Sequence, residues 1–112
     1  MAVYKRRETL ITNDILKHLR VDGFAEKIHG GAAQRKGLSD IMSVYRGRSL
    51  GIEVKRPGLS ATDAQRKVLD EMVGAGGLAC VVHSLDELRD ALHWWESLGK
   101  FETYLGDLWI PE

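Results

Sequence analysis

The chain is poor in cysteine and in long apolar runs. Cys80 is the single cysteine among 112 residues, so an intrachain disulfide and a cysteine-based zinc cluster are both excluded. It lies in the apolar run 78–82, which predicts a small buried side chain. No stretch of eighteen apolar residues occurs, and the N-terminus lacks the apolar segment of a signal peptide. We therefore expect one small domain, soluble and intracellular.

Several ligand-binding patterns are also missing. The four histidines, at positions 18, 29, 83 and 93, do not have zinc-ligand spacing. The glycine pairs at 30–31 and 76–77 fit turns and not a phosphate-binding loop, so no nucleotide cofactor is expected. No internal repeat, helix-turn-helix or zinc finger is visible, which favours recognition of a nucleic acid by backbone and shape over base reading.

Charge is distributed unevenly although the net charge is zero. Residues 1–67 carry a net charge of +7 and residues 68–112 carry −7. Such asymmetry indicates one basic and one acidic face, and charged runs are often only solvated surface. Because the basic residues interleave with a candidate site, phosphate contact is the favoured interpretation. The predicted DNA-binding residues are Lys5, Arg6, Arg7, Arg35, Lys36, Ser39 and Arg56.

The order of predicted elements is helix, three strands, helix, strand, helix and a short tail. The helices are expected over 4–20, from a Ser60–Asp63 capping box to about 74, and from a Ser84–Glu87 capping box to about 98. The strands are expected over 24–29, 38–45, 50–56 and 78–83. Strands separated by a helix indicate a mixed α/β sheet, with the helix near 61–74 as the crossover.

Two acidic residues belong to neighbouring predicted strands. Asp40 precedes Glu53 by thirteen residues, and the alternation of segment 50–56 puts Glu53 and Lys55 on the same face of a half-buried strand. If the strands pair through a turn near Gly47, two carboxylates and one ammonium group converge. Such a set can hold a divalent cation beside a phosphate, which is nuclease chemistry.

The same residues resemble a known family pattern. Asp40 with Glu53-Val54-Lys55 is similar to the PD-(D/E)XK nuclease superfamily, although Ser39 stands at the position of its proline. The wider string resembles the virus-type replication-repair (VRR-NUC) branch over residues 8–84, through Gly37-Leu38-Ser39-Asp40, Ile52-Glu53-Val54-Lys55, Leu59-Ser60 and Gln65. The resemblance implies an α/β, restriction-endonuclease-like αβββαβ core with a mixed central sheet flanked by helices.

Two polar residues interrupt apolar helix stripes. Gln65 falls among Ala61, Ala64, Val68, Leu69, Met72 and Val73, and Glu8 falls among Tyr4, Ile11, Ile15 and Leu19. An inward polar group is costly unless it has a partner. The alternatives are a Gln65 that reaches water and a Glu8 that sits in a helix N-terminal turn. The resemblance implies instead that both belong to the site.

Ligand chemistry suggests roles for these residues. Asp40, Glu53, the Val54 carbonyl and Glu8 would bind Mg²⁺ or Mn²⁺, which prefer oxygen ligands. The metal would activate water for attack on the scissile phosphate. Lys55 would orient that water or stabilise the transition state, and Gln65 would position Lys55 or the phosphate. The predicted catalytic residues are Asp40, Glu53, Lys55 and Gln65.

The substrate expectation depends on the resemblance. Stand-alone members of that branch look like homodimeric endonucleases that cut branched DNA, with four-way (Holliday) junctions favoured, which also suggests a phage or bacterial setting. An aromatic segment, residues 101–110 with Trp94 and Trp95 before it, is a candidate dimer surface or a cover for the chain's own core. The alternatives are a flap, nicking or restriction-type nuclease, and a non-catalytic nucleic-acid-binding module.

Overall fold

The order of helices and strands is the predicted one. The computed structural model describes residues 2–21, 23–29 and 36–98. Its elements are α1 (Ala2–Leu19), β1 (Phe24–Lys27), β2 (Ile41–Tyr45), β3 (Arg48–Val54), α2 (Asp63–Gly74), β4 (Leu78–Val82) and α3 (Leu85–Leu98). Four strands form one mixed sheet in the order β1-β2-β3-β4, and three helices flank it. The predicted α/β class is confirmed.

The central strands are joined by a tight hairpin. Arg46 and Gly47 both have positive φ angles, 51° and 81°, which is the requirement of a two-residue type I′ turn. The turn sets the antiparallel register, in which Ile41 faces Ile52. On its other side β3 pairs in parallel with β4, and α2 is the crossover between them, as the sequence predicts.

Apolar side chains cover both faces of β3. Helices α1 and α3 pack on one face, where the core includes Ile15, Leu88 and Trp95 from the helices and Ile41, Ile52 and Val54 from the sheet. Helix α2 packs on the other face with Ala61, Leu69, Ala79 and Val81. The expectation of a half-buried strand is therefore wrong: residues Leu50–Val54 are buried on both faces because α2 covers the side toward which Glu53 points.

The start of α2 lies two residues later than the capping box expected at Ser60. Thr62 is the N-cap: its hydroxyl accepts a hydrogen bond from the Gln65 N–H at 3.2 Å. In return Gln65 Oε1 accepts from the Thr62 N–H at 2.8 Å. A capping box needs Glu or Gln three residues after the cap, and Gln65 meets this condition for Thr62. Asp63 is then the first helical residue, where its charge suits the helix dipole.

One of the two hydrogen bonds of the capping box expected at α3 is present. Ser84 Oγ accepts a hydrogen bond from the Glu87 N–H at 3.1 Å, as expected. The carboxylate of Glu87 does not return to the Ser84 backbone, because it accepts from the N–H of His83 at 2.9 Å. The ring of His83 contacts the same carboxylate, with Nδ1 2.9 Å from Oε1 of Glu87. Backbone and ring of His83 therefore both hold Glu87 away from the Ser84 N–H.

Helix α2 lies close to two glycines, and at Gly37 its backbone leaves no room for a side chain. A Cβ on Gly51 would lie 2.5 Å from Sδ of Met72, so β3 and α2 are in direct contact beside Glu53. At Gly37, which has a φ of 91°, a Cβ would lie 2.5 Å from the Ala64 carbonyl oxygen. The segment that leads to Asp40 is therefore held against α2.

Several single-residue expectations can be compared with the structure. Cys80 is fully buried, as predicted, and burial raises the pKa of its thiol well above the usual value. Trp95 is also fully buried in the core, which agrees with the alternative that it packs on the chain's own core and not with a place on a dimer surface. The aromatic segment 101–110 lies outside the described residues. None of the described helices is long and apolar enough to cross a membrane.

Candidate functional site

The ends of β2 and β3 bring Asp40 and Glu53 together. Because Ile41 pairs with Ile52, extending the register by one residue puts Asp40 opposite Glu53. Asp40 lies just before β2, and its Oδ2 accepts a hydrogen bond from the Val54 N–H at 2.8 Å. This bond joins the aspartate to the last residue of β3, so the two carboxylates lie at the same end of these two strands.

Glu53 is a buried carboxylate with one unsatisfied oxygen. Its side chain is 2 % exposed. Oε2 accepts a hydrogen bond from Gln65 Nε2 at 2.7 Å, and the Lys55 Nζ lies 3.9 Å from the same oxygen. Oε1 is buried and has no hydrogen-bond partner among the described residues. Buried oxygens are normally satisfied, so this one is available to a ligand that the protein itself does not supply.

The surroundings of Glu53 disfavour ionisation of its carboxyl group. Burial, first, and the neighbouring Asp40 carboxylate, second, raise its pKa from 4.5 to about 9. Glu8 raises the pKa further, while Lys55 lowers it. The site therefore has an excess of negative charge that a bound cation would relieve.

Gln65 uses both ends of its amide. Its Oε1 completes the α2 capping box, and its Nε2 donates to Glu53 across the sheet-facing side of the helix. The inward orientation suggested by the helical stripe is therefore observed, and the alternative of a water-facing amide is not. One residue links the start of α2 to the carboxylate at the end of β3.

Glu8, on α1, approaches the same end of these strands from the other face of the sheet. Its Oε2 accepts a hydrogen bond from the Arg56 N–H at 3.3 Å. Glu8 and Asp40 line a cavity of about 210 Å³. The other residues that line this cavity are Thr9, Thr12 and Lys27.

Sequence reasoning missed Thr9, Thr12 and Lys27. Thr12 follows Glu8 by four residues, so the two share a face of α1, and this spacing could have identified it. Lys27 pairs with Ile41 in the β1–β2 register, next to Asp40. That pairing joins residues across a long connection and has no local sequence signal.

The oxygen ligands present suit a divalent cation with several bound waters. Within the described part of the chain, no three His, Cys, Asp or Glu side chains are close enough to hold a metal ion as a group. Asp40 and the unsatisfied Oε1 of Glu53 are hard oxygen donors of the kind that Mg²⁺ and Mn²⁺ prefer, and Mg²⁺ usually keeps waters when one or two carboxylates bind it. The residues fit such an ion, with Glu8 as a neighbour on the cavity wall.

The predicted DNA-binding residues are placed unequally. Arg7 and Lys36 are exposed, and Arg56 is partly exposed. Ser39 is buried with its hydroxyl toward Sδ of Met72 at 3.8 Å, so it has no surface with which to meet a phosphate and is not retained in the proposed interface. The side chains of Lys5 and Arg6 and the whole of Arg35 lie outside the described residues.

Comparisons with known proteins support the fold. No protein-family model matches the chain, and no curated protein sequence does. Among solved structures, the chain is similar to a VRR_NUC domain protein with a TM-score of 0.64 and 21 % sequence identity. The similarity covers 84 % of this chain and 91 % of the other. At this level of identity the likeness establishes the restriction-endonuclease-like α/β fold.

Proposed function

We propose that this chain is a metal-dependent endonuclease that hydrolyses phosphodiester bonds in DNA. The observation that carries the proposal is the carboxylate pair at the end of β2 and β3, in which Glu53 is buried opposite Asp40 with Oε1 unsatisfied. A buried acidic pair of this kind opposes folding stability, so a purely structural role explains it poorly. The fold shared with a VRR_NUC domain protein supports the same conclusion.

The chain's own residues have separable tasks in this reaction. Asp40 and Glu53 would hold Mg²⁺ or Mn²⁺, with the Val54 carbonyl as a further proposed ligand and Glu8 in contact through a bound water. When bound, the ion supplies an activated water and neutralises charge on the phosphate. Gln65 orients Glu53 through its 2.7 Å hydrogen bond.

Lys55 is proposed as the catalytic cation. Its side chain is 15 % exposed and its Nζ is 3.9 Å from Glu53, so it is held at the sheet edge and can still reach a phosphate oxygen. A compact ammonium group at this place stabilises the charge that develops on the phosphoryl oxygens.

DNA is the proposed partner, bound through its backbone. The basic first part of the chain supplies exposed cations, among them Arg7, which precedes Glu8, and Lys36. Phosphate contacts of this kind position a duplex and carry no base sequence. We propose branched DNA, with four-way junctions preferred, and a homodimer whose two sites cut opposed strands.

Cleavage of labelled DNA structures tests the proposal. Four-way junction, flap, duplex and single-stranded DNA are incubated with Mg²⁺, Mn²⁺ or a chelator. Wild type is compared with Lys55→Ala and with Lys67→Ala, an exposed lysine of α2. We expect metal-dependent cleavage that falls at least about 100-fold in Lys55→Ala and persists in Lys67→Ala, since electrostatic groups at a phosphoryl centre typically contribute this much.

The outcomes separate the alternatives. Paired, symmetric cuts in the junction support a dimeric resolvase. Cuts in flaps or single strands alone leave a nuclease of another specificity. Metal-independent DNA binding with no cleavage of any substrate would overturn the catalytic proposal and leave a binding module.

A further inference from the structure

A histidine outside the carboxylate site contacts the loop that follows the catalytic strand. His83 comes directly after β4, beside a cavity of about 480 Å³ lined by residues 57–60, His83, Ser84 and Glu87. Its Nδ1 lies 2.9 Å from Oε1 of Glu87, and its Nε2 lies 2.8 Å from the carbonyl oxygen of Leu59. The ring therefore bridges α3 and the loop between β3 and α2.

Both ring nitrogens of His83 face acceptor oxygens. A carboxylate and a carbonyl oxygen are both acceptors, so each requires a donor N–H from the imidazole. Neutral imidazole has one N–H, whereas imidazolium has two. With one proton removed, a nitrogen lone pair would face an oxygen at less than 3 Å. Both contacts have a donor at the same time when the ring is doubly protonated.

Ionisable residues of α3 and of the loop flank His83. Of the residues that line the cavity, His83 and Glu87 are the ionisable ones, and Glu87 is in direct contact. On α3, Asp86 is exposed with its carboxylate 3.9 Å from Arg89. In the loop, Arg56 is the charged residue, and its backbone N–H donates to Glu8.

The loop held by His83 is a tight turn that reaches the carboxylate site. The Leu59 N–H donates to the Arg56 carbonyl at 3.2 Å, and Pro57 followed by Gly58 with a φ of 92° fits a type II turn. One end of this turn is therefore held by His83 through the Leu59 carbonyl. The other end is held by Glu8, which accepts from the Arg56 N–H.

We propose that protonated His83 is a positioning residue that fixes the turn Arg56–Leu59 beside the site, and that loss of its ring proton to solvent releases the turn. Histidine is the side chain that ordinarily changes charge between about pH 5 and 8. The effect on DNA rests on the proposed nuclease function, because the turn carries the Arg56 cation. The effect on the turn itself does not depend on any activity.

The first test uses the full chain without DNA or metal. Ring nitrogen shifts of His83 and the amide shifts of Gly58 and Leu59 are followed by NMR as the pH is raised. We expect the pattern of a doubly protonated ring at low pH, and loop amides that shift with the same midpoint as the ring. A neutral ring at low pH, or loop amides that do not follow it, would overturn the proposal.

Variants assign the loop response to His83. In His83→Gln the amide has donors at one end only, so it imitates the neutral ring, and the loop amides should lose their pH-dependent shift. His93→Gln changes an exposed histidine of α3 that lies outside this contact, and as the matched control it should keep the wild-type response. A pH-dependent loop shift that survives in His83→Gln would refute the assignment.

A second readout connects the turn to DNA. If the nuclease proposal holds, His83→Gln should raise KM about tenfold at low pH while kcat changes little, which is the scale of one lost charge-assisted hydrogen bond. The wild-type KM should rise toward the variant's value as the ring deprotonates. Absence of cleavage would contradict the nuclease proposal and leave the NMR result standing, so the two failures are distinguishable.

Discussion

Replacing Glu53 by glutamine should make the metal-free protein more stable at neutral pH. The substitution keeps the size of the side chain and its ability to accept from Gln65, while removing the ionisable group. The folded chain holds a proton on Glu53 up to about pH 9, whereas the ordinary value is 4.5. Between these values the folded state binds more protons than the unfolded state, so wild-type stability falls as the pH rises.

The magnitude follows from the width of that interval. Stability changes by about 1.4 kcal/mol for each pH unit between 4.5 and 9. At pH 7 the ionisable Glu53 therefore costs about 3 kcal/mol relative to a group that does not titrate. For a domain of this size, that difference corresponds to a Tm about 10 °C higher in Glu53→Gln. Below about pH 4.5 the two proteins should differ little.

The assay is thermal and urea unfolding from pH 4 to 9 with a chelator present. Asp70→Asn is the matched control, because it removes a carboxylate from an exposed position of α2 and should change stability by less than about 0.5 kcal/mol. Repeating the series with Mn²⁺ gives the second half of the prediction. The ion should stabilise wild type and have little effect on Glu53→Gln, since its ligand is gone.

Two results would refute this reasoning. Parallel pH profiles for wild type and Glu53→Gln in chelator would mean that Glu53 titrates alike in the folded and unfolded chains. A metal-free Glu53→Gln that is less stable than wild type at pH 7 would mean that the ionised carboxylate is satisfied within the protein. In both cases the interpretation of Oε1 as an unsatisfied ligand oxygen would be wrong.

Two further predictions concern the elements that support the site. Gln65→Ala and Thr62→Ala should each lower stability by about 1 kcal/mol through loss of the α2 capping box. Gln65→Ala alone should also reduce metal affinity, because it removes a partner of Glu53. Calorimetric titration with Mn²⁺ measures the two affinities, and equal values would contradict the prediction. Gly37→Ala should lower the free energy of unfolding by about 3 kcal/mol, since its Cβ meets the α2 backbone at positive φ. Gly58→Ala, with similar φ and open space around it, should lower it by about 1 kcal/mol. Urea unfolding compares the two variants, and equal losses would exclude the steric contribution.

Much of the carboxylate pair was predictable because it depends on local rules. Alternation along segment 50–56 gives the facing of Glu53, and a short hairpin sets the register that brings Asp40 opposite. The inward direction of Gln65 follows from its place on the α2 stripe. None of these inferences needs information about distant parts of the chain.

The rest of the site depends on long-range packing. The Thr62 cap follows from a local rule, since Gln65 stands three residues after it, whereas the contact of Gln65 with Glu53 crosses the α2–β3 interface. The burial of Ser39 results from the same helix. The bridging contact of the His83 ring requires a carbonyl oxygen 24 residues away along the chain, which no local pattern indicates.

The carboxylate site and the core depend on each other because Glu53 lies between them. Beneath the strand, α1 and α3 bury Ile52 and Val54, and above it α2 covers Glu53. This burial also raises the pKa of Glu53. A cation bound at this place would favour the folded state over the unfolded one, so its binding free energy adds to folding stability. Removal of the metal should consequently loosen the α2 contact first, since α2 supplies the Gln65 hydrogen bond to the same carboxylate.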